Sequence, residues 1–279
     1  MQKLGLVAGG GGLPISLANH CIAGGRPYFV LRLKGFADPE LADYPGEEVG
    51  IAQLGRAMRL LREAKCESVC FAGAVARPDF TALRPDLRGL ALIPALVRAG
   101  RHGDDALLRV LLDAFEKEGF RIEGAHEVMG ELALPQGPLG RHVPAPEHQA
   151  DVDKAMAVAR TIGRLDIGQG AVVCRGLVLA VEAQEGTDAM LRRVSELPEA
   201  IRGAPERPAG VMAKAAKPGQ ELRVDLPIMG LGTLQRAARA GLAGLAGEAG
   251  RVLVLDRDAF IALADELGLF VVGVADPPP

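Results

Sequence analysis

The chain has no tryptophan and only two tyrosines, and aromatics make up 4% of its 279 residues. Stacking platforms for single-stranded nucleic acid are therefore not expected. A net charge of −3 comes without any block of like charge, so the basic footprint of a nucleic-acid binder is missing too. No apolar run approaches the roughly 18 residues of a membrane span. No secretory leader is expected, because Met1-Gln2-Lys3 leads directly into a strand. The four cysteines, Cys21, Cys66, Cys70 and Cys174, form no C-x-x-C pair. Buried free thiols in a reducing, cytoplasmic compartment are expected in preference to a metal site. What is plentiful is apolar (49%) or glycine (36 residues), with a quarter of the chain charged. That is the composition of a soluble globular protein, long enough for two separate cores.

The patterning predicts α/β structure throughout. Leu4 to Ala8 reads as a strand, Gly9-Gly10-Gly11-Gly12-Leu13-Pro14 as a glycine loop, and Ile15 to Ala23 as a helix. Strand, loop and helix form the opening unit of a Rossmann-like nucleotide-binding domain. The strict dinucleotide fingerprint fails, since its last glycine falls on Pro14 or Ile15. The second strand, Tyr28 to Leu33, also runs into Leu33-Lys34-Gly35 with no acid for a ribose hydroxyl, which disfavours NAD. A phosphate or sugar against the backbone of Gly10 to Leu13 stays open, beside a purely structural turn.

Ala52 to Lys65 is a predicted amphipathic helix and Ser68 to Ala72 a third strand, followed by Gly73-Ala74-Val75-Ala76-Arg77-Pro78-Asp79-Phe80. Loops after strand ends are the usual ligand positions of an open α/β sheet, which singles out Gly73, Arg77 and Asp79. The Leu-, Pro- and Arg-rich stretch 83–99 reads either as a greasy groove or membrane-surface contact, or as a partly buried helix pair with snorkelling arginines; the second is favoured. Asp104 and Asp105 open a helix over 106–118 as caps or ligands, and Phe120 to Ala125 is a further strand. Pro135 to Pro146 is rich in proline and glycine and predicts a linker over 135–149. The predicted organisation is a Rossmann-like domain over 1–134 and a second α/β domain over 150–279 carrying the catalytic carboxylates, with the ligand in the cleft between them.

The second half is organised around 180–230. An apolar run from Gly170 to Val178 reads as a buried strand or hairpin. It leads into Glu182-Ala183-Gln184-Glu185-Gly186-Thr187-Asp188 and a helix that Thr187 or Asp188 can cap. Lys214, Lys217, Gln220 and Asp225 follow within forty residues. Carboxylates, lysines and the free N–H groups of a helix start suit a phosphate ester held with a divalent cation. The competing reading is an ordinary strand, turn and helix with surface charge.

Several of these motifs occur together in one order: the glycine loop, Gly73 to Phe80, Gly103-Asp104-Asp105-Ala106-Leu107-Leu108-Arg109, Leu165-Asp166-Ile167-Gly168-Gln169, Ala180 to Asp188, and Lys217-Pro218-Gly219-Gln220. In this the chain resembles the LpxI-type UDP-2,3-diacylglucosamine pyrophosphatases of lipid A biosynthesis over nearly its whole length. It departs after Gln220, where Glu221 and Val224 stand in place of an Asp and a Phe. The resemblance implies hydrolysis of the substrate pyrophosphate to UMP and 2,3-diacylglucosamine 1-phosphate with Mg²⁺, water attacking the β-phosphorus. It also implies two closing domains and transient contact with the inner membrane surface. On the matching residues, Asp225 is expected as metal ligand or water-orienting base, with Asp188 or Glu182 assisting. Thr187, Gln184 and Gly186 would lie at the phosphates, Lys214 and Lys217 would neutralise charge, and Gln220 would orient phosphate or water. Gly10, Gly11, Gly12 and Leu13 would face the uridine side. Arg77 to Arg101 would guide the acyl chains. A sugar-nucleotide transferase and a non-catalytic nucleotide or lipid sensor are the rival readings of the same ligand chemistry.

Overall fold

The computed structural model describes residues 1–75, 84–100, 104–219, 221 and 223–275, with backbone alone for Asp104 and Asp105. Arg77, Asp79 and Gln220, and the side chains of Asp104 and Asp105, thus lie outside the described residues. The chain divides into two compact units, Met1–Gly130 with Glu221–Asp225, and Glu131–Gln220 with Leu226–Pro279.

The first unit runs β1 (Leu4–Ala8), α1 (Gly12–Ala23), β2 (Tyr28–Leu33), β3 (Gly46–Val49), α2 (Leu54–Glu63), β4 (Ser68–Ala72), α3 (Leu87–Ala99), α4 (Asp104–Lys117), β5 (Arg121–Ile122) and the one-turn α5 (Ala125–Val128). Its five strands are parallel in the order β3-β2-β1-β4-β5. The order reverses between β1 and β4, so the crevice at their carboxyl ends is the topological switch point where such sheets take ligands. Leu4 to Ala8 is buried at every position, as a central parallel strand covered on both faces requires. α1 begins at Gly12, three residues earlier than the sequence suggested, because Leu13 and Pro14 are already buried on its inner face.

The second unit comprises β6 (Gly137–Pro138), α6 (Pro146–Arg164), β7 (Gly170–Cys174), β8 (Leu177–Val181), α7 (Gly186–Ser195), α8 (Glu199–Arg202), β9 (Val211–Lys214), β10 (Ile228–Met229), α9 (Leu231–Arg239), β11 (Gly244–Glu248), β12 (Leu253–Val254), α10 (Arg257–Glu266) and β13 (Phe270–Val274). Its main sheet is ordered β6-β13-β11-β9-β7-β8, with β13, β11 and β9 parallel. The β7–β8 pair is a hairpin. Its two turn residues, Arg175 and Gly176, both have positive φ, as the primed hairpin turns demand. Asp151 of α6 accepts the N–H groups of Arg175 and Gly176, each at 2.7 Å.

Two expectations are corrected. The segment 135–149 is no linker: β6 pairs with β13, Leu134 and Leu139 are buried in the second core, and α6 starts at Pro146. The sequence reading also passed over β11, a central strand. Its Gly-Leu-Ala-Gly-Glu composition is weak for a strand, yet all five residues are buried. A side chain at Gly244 would run into the Phe270 ring, and one at Gly247 would meet Leu134 Cδ2 at 2.6 Å. Glycine there lets neighbouring side chains close over the sheet.

All four cysteines are free and buried. Burial pushes the Cys66 thiol up to about 11 and the Cys70 thiol to about 12, so neither offers a thiolate at neutral pH. No helix among the described residues is long and apolar enough to cross a membrane.

Candidate active site

At the carboxyl end of the first sheet, the glycine loop and the Gly73 loop are knitted together. Gly10 and Ala74 exchange backbone hydrogen bonds of 2.9 and 2.8 Å. A Cβ at Gly9 would meet Ala74 O at 2.6 Å, and one at Gly73 would meet Gly10 O at 2.7 Å. These glycines serve the close approach of two backbones. Gly11 (φ 91°) and Gly12 differ, because nothing lies within 4 Å of a Cβ at either. That open face is where a ligand could approach the loop. Leu13, expected on the uridine side, is 7% exposed and belongs to the core.

An acid does reach this loop, although not from the end of the second strand. It is Asp38, whose Oδ2 accepts the Gly11 N–H at 2.6 Å. It sits five residues beyond Leu33, past a turn, where a motif keyed to the strand end does not look. A carboxylate on that N–H shows the loop's affinity for an anion.

Asp225 also belongs to the first unit, not to the C-terminal domain where the sequence placed it. Arg223 explains the excursion. Its guanidinium bonds Glu221 at 2.9 and 3.0 Å and Glu116 at 2.6 Å, while Val224 packs against the first core. Arg223 in turn holds the Glu221 carboxyl below the usual carboxylate range. The Asp225 N–H then bonds Glu221 O at 3.1 Å, which closes the turn that presents the half-buried Asp225 side chain.

In the second unit, Lys214 and Glu248 stand at the carboxyl ends of β9 and β11, and Glu182 directly follows β8. Glu182 is 5% exposed, and its Oε1 accepts the Thr187 hydroxyl at 2.8 Å. Its Oε2 is buried with no hydrogen-bond partner among the described residues. It packs against Gly170, where a Cβ would sit 2.5 Å away. Lys214 is buried to 4% and donates to Ile228 O at 3.1 Å. Burial pushes its ammonium below the usual lysine value, and the carboxylates of Glu182 and Asp188 act in the opposite direction. Lys214 therefore underlies this edge and is not displayed on it.

Thr187 and Asp188 do not cap α7. The helix starts at Gly186, Glu185 occupies the cap position without a side-chain cap bond, and the Gly186 N–H bonds Ala183 O at 3.2 Å. Thr187 points its hydroxyl down to Glu182, and the exposed Asp188 pairs with Arg236 at 3.0 Å. The helix start thus keeps the uncapped N–H groups that an anion wants. Gln184 is exposed beside it. Lys217 bonds Asp166 of the Leu165 to Gln169 motif at 2.7 Å.

Glu248 is a residue the sequence reading missed, because β11 was missed. Its carboxylate, 2% exposed, accepts the Ala216 N–H at 3.1 Å and faces Arg160 at 3.3 Å. It thereby holds the loop that carries Lys217. We expect Glu248→Leu to lower unfolding free energy in urea by on the order of 1–3 kcal/mol, since it leaves the buried Ala216 N–H without its acceptor. Glu248→Gln, which keeps an acceptor for Ala216, should cost less than half of that. Equal losses would mean that the charge, and not the acceptor, holds the loop.

Among the described residues no three His, Cys, Asp or Glu side chains converge as a preformed metal cage. Mg²⁺ does not need one, as it keeps several waters and uses one or two carboxylates with substrate phosphates. A buried carboxylate oxygen without a partner, Glu182 Oε2, and the exposed Asp188 carboxylate are chemistry that fits such an ion.

Comparison with known sequences finds matches on both halves of the chain. Residues 3–132 match the LpxI N-terminal domain and residues 135–272 the LpxI C-terminal domain. A protein of Caulobacter vibrioides named UDP-2,3-diacylglucosamine pyrophosphatase LpxI is 68% identical over 277 residues, 99% of each chain. Matched across both units and at that identity, the chain belongs to the LpxI family.

Proposed function

We propose that this protein hydrolyses the pyrophosphate bond of UDP-2,3-diacylglucosamine in lipid A biosynthesis, releasing UMP and 2,3-diacylglucosamine 1-phosphate. The observation that carries the reading is 68% identity across 99% of a relative named for that activity. The side chains supply what such a cleavage requires: donors for non-bridging oxygens and a carboxylate to orient water. The uncapped start of α7 and the Thr187 turn receive phosphate oxygens. Lys217 adds positive charge there, and the open face of Gly11 and Gly12 takes the nucleotide side. Asp225 orients the attacking water or serves as a metal ligand, with Asp188 or Glu182 assisting. Mg²⁺, held by Asp225 or Asp188, would neutralise charge on the phosphate oxygens.

We further propose attack at the β-phosphorus and transient contact with the inner membrane surface, where a substrate with two acyl chains resides. The test is incubation in ¹⁸O-labelled water with Mg²⁺, with and without EDTA, followed by mass analysis. The label is expected in the sugar 1-phosphate, and chelation should abolish turnover. Label in UMP would move the attack to the α-phosphorus, and EDTA-resistant turnover would remove the cation. Intact substrate in every arm would leave the sensor as the better reading.

A further inference from the structure

A helix that is apolar all round is normally buried on all sides, and α3 is not. Its sequence, Leu-Arg-Gly-Leu-Ala-Leu-Ile-Pro-Ala-Leu-Val-Arg-Ala, has only Gly89 and Ala99 fully buried. These small residues let α3 lie close on the unit. Any side chain at Gly89 would collide with the Ala52 carbonyl, and Leu92 packs on the first core. Leu87, Leu90, Ile93 and Val97 are instead 86, 50, 41 and 58% exposed. Surplus positive charge borders this face. Arg62 and Arg88 share the single carboxylate of Glu118, and Arg84 is exposed at the start of the helix. Among the described side chains, Asp86 caps α3 through the Gly89 N–H at 2.8 Å, and with Glu118 it leaves Arg62, Arg84 and Arg88 one positive charge in excess.

We propose that α3 is a lipid-docking element, which lays its outer apolar face into an anionic bilayer surface with arginines at the headgroups. Exposed aliphatic side chains together with unbalanced arginines are what an interfacial helix needs, and the charge selects an anionic surface. A second copy of the chain would bring the same positive charge against itself. The choice of a lipid surface rests on the substrate reading above, since an enzyme for a diacylated substrate has to meet it where it is dissolved.

The test is sedimentation with vesicles of phosphatidylcholine containing phosphatidylglycerol, against phosphatidylcholine alone. Wild type should bind the anionic vesicles and weaken as salt rises. The double variant Leu90→Glu/Val97→Glu should lose about tenfold or more in vesicle affinity. Both changes are at exposed positions, so its melting temperature should match wild type. Absence of wild-type binding, or equal binding by the variant, overturns the proposal. So does a concentration-dependent dimer that the variant dissolves. Vesicle binding without any hydrolysis would leave the docking element standing and remove the substrate reading, so the two fail separately.

Discussion

Asp225→Asn is expected to lower kcat/KM by about a hundredfold to a thousandfold while leaving the fold intact, the loss typical of a single group serving the transition state. Asparagine preserves size and hydrogen-bonding shape, so what it removes is the negative charge. The segment around it should not move. Arg223 is tied to Glu221 and Glu116, Val224 packs into the first core, and the Asp225 backbone bonds Glu221 O. None of those contacts uses the Asp225 carboxylate, so the turn they hold should keep its place in the variant. Steady-state kinetics with purified variant decides the matter. Turnover within about tenfold of wild type, a barrier change near 1.4 kcal/mol, would dismiss Asp225 as base or metal residue.

Lys214→Met is expected to cost about a hundredfold in kcat/KM for a different reason. Lys214 is buried to 4%, so it acts through the field it places under Glu182 and Asp188. Removing it strands the Glu182 carboxylate, which should also destabilise the protein by on the order of 3 kcal/mol. Adding Glu182→Gln should recover much of that stability but none of the activity. Groups that act as a unit are not additive, so the double variant should be no slower than the single one.

The pH profile checks the same pair. Burial lowers the Lys214 ammonium from its ordinary value of 10.5. The unfolded chain then holds this proton more tightly than the folded one. Stability should therefore rise with pH as Lys214 discharges between its folded and unfolded values. Activity has the opposite sign, because the charged form is the useful one. It should be level below the folded value and fall as pH rises through it, starting short of 10.5. Lys214→Met should lack that alkaline fall. A wild-type profile flat to the ordinary lysine value would exclude Lys214 from the chemistry.

Much of the fold was legible because local patterning reports it. β2 and β4 lie where alternation and apolar runs placed them, and β1 ends at the glycine loop as read. What misled was residues whose role depends on distant neighbours. The proline-rich stretch 135–149 looked like a linker, since proline and glycine punctuate loops, yet β13 supplies a partner for β6. Strand β11 looked too poor in side chains to be central. Phe270 and Leu134, from other elements, fill the space its glycines leave. α3 is partly buried as read, and packing decides its faces: Gly89, Leu92 and Ala99 lie inward while Leu87, Leu90, Ile93 and Val97 stay exposed.

The candidate site divides in the same way. Sequence by itself determined the inventory: the glycine loop, the Glu182 to Asp188 turn, the lysines, Asp225, and the family their order resembles. A motif fixes residue types and spacing, and those survive without coordinates. Tertiary structure decided what each group is paired with. It buried Glu182 and Lys214 together, left Asp188 to Arg236, brought in Asp38 and Glu248, and assigned Asp225 to the first unit. The reason is that desolvation and ion pairing depend on what lies within a few ångströms in space, and for these residues the neighbours are five to more than a hundred positions away along the chain.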